Sequence, residues 1–269
     1  MKKHIYKYEV SIRWRSVWVW SASLFALLAA FMSLYPAYSA ESEAMVAVLA
    51  NFPPEFTQMF GLSDLDLGSL LGFYAFCFVF CQLCLAIQAS NYGFGLISAE
   101  ESQHTADFLL TKPVSRRSIF WSKVLAALTS LTVTNLVVWL GSLLFIALFK
   151  GNNAMEVGLI LLILGGIFIF QMLFFSFGLL ISVLVGKIRS VISWSLGLSF
   201  GLYLLNALGG VVKDVNLEYL SPFKHFAPVS IITQGRYDWP FILIDAGFIV
   251  AALMLALWVY QKRDIPTPV

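Results

Sequence analysis

The chain has 269 residues, of which 59% are hydrophobic and only 12% are charged. A soluble domain carries about 25% charged residues, so this composition excludes an ordinary soluble protein and indicates an integral membrane protein. The net charge of +2 is too small to indicate a nucleic-acid partner.

The first predicted element is a basic and aromatic helix over residues 1–15. Ile5, Tyr8 and Ile12 recur at helical spacing among five Lys and Arg residues. Such a helix is typical of a segment that lies in the interface of an anionic membrane surface, so membrane lipid is a predicted partner. The alternative for these residues is a frayed, positively charged tail.

Six apolar runs follow, and each is close to or above the 20 or so residues needed to cross about 30 Å of hydrocarbon. The first run is too long for the core of a cleavable signal peptide, so it is predicted to be retained. The sequence therefore predicts a single all-α integral membrane domain over residues 1–269. Its six transmembrane helices are predicted at residues 17–38, 67–87, 119–149, 157–185, 191–211 and 241–260.

The Lys and Arg residues predict the orientation of these spans. If the N-terminus is cytoplasmic, thirteen of the 17 Lys and Arg residues fall on the cytoplasmic side and four on the other. Cytoplasmic loops carry an excess of Lys and Arg, so both termini are predicted to be cytoplasmic.

The longest polar interruption after the second span, residues 96–123, predicts a short helix on the membrane surface. Ser98 and Glu101 have the spacing of a capping box, and Glu100 adds a second carboxylate to the first turn. Pro113 disfavours helical geometry at the residue before it, so the helix is predicted over residues 98–111. Ser115 can then cap the next helix.

The same segment resembles the first cytoplasmic loop of ABC-2 type transporter permeases. The acidic pair is followed by TADFLLTKPVSRR at residues 105–117, where the family has Gly-Thr-x-Glu-x-Leu-Leu-x-x-Pro-Val-Ser-Arg. His104 replaces the usual Gly of that pattern, and Asp107 replaces the usual Glu. In that family the segment is a coupling helix that docks on a separate ATPase subunit. The contact residues that the resemblance implies are Glu100, Glu101, His104, Thr105, Asp107, Phe108 and Lys112.

The resemblance also implies how the protein works. It implies a non-enzymatic permease subunit of an exporter in a bacterial cytoplasmic membrane, where two such subunits, identical or related, enclose the path. The sequence contains no G-x-x-x-x-G-K-[ST] motif, and no cytoplasmic segment is long enough for a nucleotide-binding domain. We therefore expect no cofactor in this chain, with ATP and Mg bound by the partner ATPase. The residues do not identify the substrate.

Asp245 stands out because a carboxylate inside a span is costly unless it is paired, hydrated or protonated. We expect an ion pair near the outer end of the last span, with Lys213, Lys224 or Arg236 as the partner, or a position in a water-filled vestibule. A proton-coupled secondary transporter is the alternative function that this residue raises. Two others are a non-transporting sensor or immunity component and an intramembrane enzyme, although no cluster of catalytic residue types supports an enzyme.

The remaining polar features favour packing over chemistry. Residues 213–240, which contain the sequence Ser221-Pro222-Phe223, predict a membrane-surface or partly re-entrant hairpin, or a structural cap on the bundle. Cys77, Cys81 and Cys84 share one helix face that a soft metal could use, but they are more typical of small buried hydrophobic residues. The amide side chains in or near the spans are predicted to bridge helices; they are Gln82, Gln88, Asn135, Gln171 and Asn206.

Overall fold

A computed structural model describes residues 3–41, 51, 66–102, 115–185, 188–209 and 217–262, with the backbone alone at residues 99–102 and 217–218. Every regular element in these ranges is a helix. The six long helices are α1 Lys3–Ala40, α2 Leu70–Ser102, α3 Arg116–Phe149, α4 Val157–Leu184, α5 Val191–Gly209 and, last in the chain, Trp239–Lys262. All six are long and apolar enough to cross a membrane, which confirms the predicted all-α membrane architecture.

Three short elements lie between α5 and the last long helix. They are a 3₁₀ turn at Leu217–Leu220, α6 at Pro222–His225 and α7 at Pro228–Gln234. The last long helix, Trp239–Lys262, is therefore α8. We call residues 217–234 the plug segment, because the side chains of Phe223 and Phe226 are buried in the helix bundle.

The helices associate mainly in two pairs. α1 packs along α3, and α2 packs along α4, while α5 covers α2 and α8 covers α4. Inside the α2–α4 pair, Gly93 faces the backbone of Phe175, and Gly178 faces the backbone of Ser90. The absence of side chains at these two positions lets the helix backbones approach closely.

Contacts between side chains show which helix ends lie together. Glu9 of α1 contacts Lys123 of α3, and Arg116 of α3 contacts Gln261 of α8. The end of the bundle that contains these residues, together with the connection between α2 and α3, is called the basic end below. The opposite end contains Tyr35 of α1, whose hydroxyl accepts a hydrogen bond of 3.1 Å from Asn153 after α3.

The structure corrects the predicted boundary near residue 16. Residues 3–15 and the first span form one helix of 38 residues, Lys3–Ala40, instead of an interfacial helix followed by a separate span. No Gly or Pro occurs between Lys3 and Pro36, so nothing in the sequence interrupts the helix. At 1.5 Å per residue this helix is about 57 Å long, well beyond the hydrocarbon thickness.

The structure also corrects the predicted helix start at Ser98. α2 runs without a break through residue 98 to Ser102, and the Ser98 hydroxyl donates to the Phe94 carbonyl at 2.6 Å. Ser98 is therefore an interior residue of α2, bonded back to the preceding turn as Ser often is in helices. Ser115 behaves as predicted: its side chain accepts a hydrogen bond from the Ser118 amide at the start of α3.

Candidate functional site

The residues that the family resemblance assigns to ATPase contact belong to the end of α2 and to the sequence between α2 and α3. Glu100 and Glu101 belong to the last turn of α2. His104, Thr105, Asp107, Phe108 and Lys112 lie outside the described residues, so their contact role stays a prediction. What the structure describes is how the two helices that flank this connection are fixed.

A buried ion cluster fixes the basic end of α3 to α1. Lys123 Nζ lies 2.8 Å from one Glu9 carboxylate oxygen, and Arg13 Nη1 lies 2.6 Å from the other. Glu9 is only 7% exposed and Lys123 only 4%. Charges are buried at this level only when each has a partner, so the cluster holds α1 and α3 in one arrangement.

Arg116 connects the first turn of α3 to α8. Its Nη1 atom donates to the carbonyl oxygens of Tyr260 and Gln261 at 3.5 and 3.3 Å. These carbonyls lie in the last turn of α8, where backbone acceptors have no partner within the helix and the helix dipole favours a cation. The Phe120 and Tyr260 rings pack beside this contact, with centroids 5.9 Å apart.

Polar side chains also connect the helices inside the bundle. The Gln88 amide donates to the Thr134 hydroxyl at 2.9 Å, and the Tyr92 hydroxyl donates to the Ser16 hydroxyl at 3.2 Å. The Gln171 amide donates to the Gln88 side chain at 3.4 Å. The predicted bridging role of Gln88 and Gln171 is therefore observed, whereas the buried Asn135 side chain has no hydrogen-bond partner among the described residues, so the prediction is wrong there.

At the opposite end, the plug segment is held against the bundle. Ser221 caps α6 by accepting from the Phe223 amide, and its hydroxyl donates to the Leu202 carbonyl of α5 at 2.8 Å. Phe223 is 3% exposed and packs against Phe170 of α4, with ring centroids 5.2 Å apart. The Gln82 amide of α2 donates to the Phe226 carbonyl at 2.8 Å. These contacts agree with the predicted structural cap on the bundle, while the predicted membrane-surface or re-entrant placement stays a prediction.

Asp245 is paired, as predicted, and among the described residues its partner is His225, which the prediction did not name. Lys213, one of the predicted partners, lies outside the described residues. His225 Nδ1 lies 2.9 Å from one Asp245 oxygen and 3.1 Å from the other, and both side chains are 7% exposed. Lys224, one of the predicted partners, lies instead over the Tyr219 ring. Sequence reasoning missed His225 because it considered only residues with a permanent positive charge.

The environment of His225 favours its charged form. Burial by itself lowers the pKa of this imidazole, but the hydrogen bond and negative charge of Asp245 raise it, with help from the Tyr219 carbonyl and Asp238. The net result is a pKa above the ordinary value for histidine.

Among the described residues, no three His, Cys, Asp or Glu side chains form a group that could hold a metal ion. Cys77, Cys81 and Cys84 are free thiols on α2, and the first two are buried in the core.

Comparison with known proteins identifies the family. The sequence profile of the family described as ABC-2 family transporter protein matches residues 4–265, which include both ends of the bundle described above. A search of curated proteins finds no match. Together with the six apolar helices, this match identifies the chain as a member of the ABC-2 transporter family and as a multi-pass membrane permease.

Proposed function

We propose that the chain is the permease subunit of an ATP-driven ABC-2 exporter in a bacterial cytoplasmic membrane. In this proposal the basic end is cytoplasmic, and the segment from Glu100 to Lys112 docks on a separate ATPase subunit that binds ATP and Mg. The chain itself catalyses no reaction. Two permease subunits, identical or related, enclose the path. The distribution of Lys and Arg supports the orientation, because thirteen of the 17 fall in the segments that the sequence places on the cytoplasmic side when the N-terminus is cytoplasmic.

One observation carries the proposal: the connection between α2 and α3 joins two helices that are held to the rest of the bundle by ion pairs, hydrogen bonds and packing. Lys123 ties α3 to α1 through Glu9, and Arg116 ties α3 to α8. α2 packs along α4. A force applied to residues 103–114 therefore acts on a rigid group of helices, which is what coupling to a motor subunit requires.

These contacts of Lys123 and Arg116 add two helices to the mechanism that the sequence alone predicts. The sequence predicts transmission to the two helices that flank the coupling segment. In the proposed mechanism, the first turns of α3 transmit the same displacement to α1 and α8 through the contacts of Lys123 with Glu9 and of Arg116 with α8. A Lys–Glu contact of 2.8 Å in a buried site cannot stretch without leaving a charge unpaired.

The experiment tests docking on the ATPase. The full-length chain is co-expressed with each ABC ATPase subunit of the source genome, captured through a tag and tested for a co-purifying ATPase. The double substitution Glu101→Arg with Phe108→Asp should abolish co-purification of the ATPase that the wild type retains, because it reverses a charge and removes an apolar contact in the segment. Glu156→Arg is the matched control: it reverses an exposed carboxylate at the opposite end of the bundle and should leave the complex intact.

The nature of the energy source separates this proposal from its alternatives. Reconstituted complex should show ATP hydrolysis that the permease stimulates, and the docking variant should lose that stimulation. Equal recovery of the ATPase with the wild type and the docking variant would contradict the proposed site. Activity that follows a proton gradient without ATP would instead support a secondary transporter.

A further inference from the structure

The protonation of His225 is coupled to its contacts on both sides of the ring. Nδ1 faces both oxygens of Asp245, at 2.9 and 3.1 Å, and Nε2 lies 2.8 Å from the Tyr219 carbonyl oxygen. A carbonyl oxygen and an ionised carboxylate can only accept hydrogen bonds. Both ring nitrogens must therefore carry a proton, unless Asp245 takes the second proton and donates it to Nδ1.

Either arrangement contains one proton more than a neutral imidazole beside an ionised carboxylate. If that proton leaves, one ring nitrogen presents a lone pair to an oxygen that also carries lone pairs. The tautomer that keeps the Asp245 contact loses the Tyr219 contact, and the other tautomer does the reverse. The three groups therefore hold together fully only while the extra proton is bound.

The neighbouring groups keep this proton in place. The Phe241 ring of α8 stacks on the imidazole with centroids 4.5 Å apart, and the Tyr219 ring stacks on Phe241 with centroids 5.3 Å apart. Besides Asp245, Asp238 acts electrostatically on His225 from just before α8, and Lys224 lies 5.6 Å from the centre of the Tyr219 ring. Two carboxylates thus favour the imidazolium, and aromatic rings limit its contact with water.

The contact also joins two parts of the fold. His225 ends α6 in the plug segment, and Asp245 lies two turns into α8. The other polar attachments described for the segment are the Ser221 hydroxyl to Leu202 and the Gln82 amide to Phe226. Neither involves a group that titrates near neutral pH, so the attachment to α8 is the one that responds to protons.

We propose that His225 and Asp245 form a proton-dependent attachment of the plug segment to α8, and that this segment loosens at the opposite end of the bundle as the pH rises. The attachment is complete at low pH, where the imidazole is charged. It is lost as the pH rises through the elevated pKa of His225, so the loosening occurs above about pH 6.5, the ordinary histidine value. In the proposed orientation this end faces the exterior, so the attachment responds to external pH. The attachment itself does not depend on that orientation or on an ATPase.

The test follows the mobility of the plug segment in the isolated full-length chain, in phosphatidylcholine nanodiscs without ATP. A nitroxide is attached at Leu220→Cys, because Leu220 is 68% exposed and precedes α6. Cys77, Cys81 and Cys84 are replaced by Ala in this background. The electron paramagnetic resonance spectrum is recorded from about pH 5 to about pH 9, and we expect the mobile component to grow with a midpoint above about pH 6.5.

Two variants should remove the pH step, and one should keep it. His225→Gln and Asp245→Asn each replace a titratable group by an amide, so the mobility of the label should no longer follow pH. His4→Gln is the matched control, because His4 is an exposed histidine at the basic end. Its spectrum should change with pH as the parent does.

A second measurement over the same pH range, on the unlabelled wild type, tests whether the label itself causes the change. Hydrogen exchange of residues 217–234, corrected for the chemical exchange rate at each pH, should accelerate at the same midpoint. A flat profile in both measurements overturns the proposal, as does a pH step that persists in His225→Gln. Because no ATPase is present, these outcomes are independent of the docking experiment.

Discussion

Gly93 provides the sharpest test of how closely α2 and α4 must pack. A Cβ atom built on Gly93 would lie 2.2 Å from the Phe175 carbonyl oxygen of α4. Ordinary van der Waals contact begins at about 3.4 Å, so the helices would have to separate locally by about 1.2 Å. The obstacle is backbone, which cannot rotate away as the end of a flexible side chain can.

The expected cost of Gly93→Ala follows from this separation. Ala is favoured over Gly inside a helix by about 1 kcal/mol, which is the only gain. Overpacking costs about 1–3 kcal/mol, and a radial gap of 0.5–1 Å already forfeits a quarter to a half of the dispersion energy of the separated atoms. Because α2 and α4 share one of the two largest interfaces of the bundle, we expect the losses to dominate, with a net destabilisation of about 1–2 kcal/mol.

Gly197→Ala on α5 is the matched control for this substitution. No heavy atom lies within 4 Å of a Cβ atom built at that position. The same chemical change should therefore be neutral or stabilising by up to about 1 kcal/mol. Unfolding in mixed micelles with increasing SDS, followed by circular dichroism, measures both variants. Equal unfolding midpoints for Gly93→Ala and the wild type would refute the reasoning from close approach.

Three further predictions concern the two ends of the bundle. Phe223→Ala should destabilise the fold by about 3–5 kcal/mol in the same SDS titration, because the ring fills a buried site. A change below about 1 kcal/mol would contradict this, since it would mean that neighbouring side chains close the cavity. Gln82→Leu should leave the buried Phe226 carbonyl without its donor, at a cost of about 1–3 kcal/mol, and should raise hydrogen exchange in the plug segment at every pH. Lys123→Gln should cost about 3–5 kcal/mol of stability and reduce ATPase stimulation while the ATPase still co-purifies. Lys123→Arg keeps a cation beside Glu9 and should retain most of the stability and of the stimulation. Equal effects of the two substitutions would show that the positive charge is not required.

The number of membrane helices could be predicted from the sequence because it depends on a local property. Each span needs one long apolar run, and six such runs are present. The end of α2 could not be predicted in this way. Gln88, Ser90 and Tyr92 resemble the polar start of a loop, yet they hydrogen-bond to Thr134, Ser199 and Ser16 on other helices. Partners on other helices satisfy these groups inside the bundle, so the helix continues about four turns past the predicted end of the span.

The pairings at the candidate sites could not be predicted from the sequence either, because they join residues that are far apart in the chain. Glu9 is the one carboxylate in a basic stretch, and Lys123 the one cation inside an apolar helix, so each is a local signal of a buried charge. Their pairing spans 114 positions, and no local pattern encodes it. For Asp245 the need for a partner was predictable from its place in a span. The identity of that partner depends on how the plug segment folds back into the bundle, which brings His225 to α8.

The two ends of the bundle are connected by α2, and this connection gives the proposed mechanism a path. α2 begins near the plug segment, donates from Gln82 to the Phe226 carbonyl, and ends at Ser102 beside the predicted coupling segment. From residue 82 to residue 102 the helix is about 30 Å long, close to the thickness of the hydrocarbon. Gly93 lies between these points and lets α4 lie directly against α2, so the two helices should move as one body. In the proposed mechanism, a displacement at the basic end therefore reaches the plug segment along a single helix, while protonation of His225 sets how firmly that segment resists it.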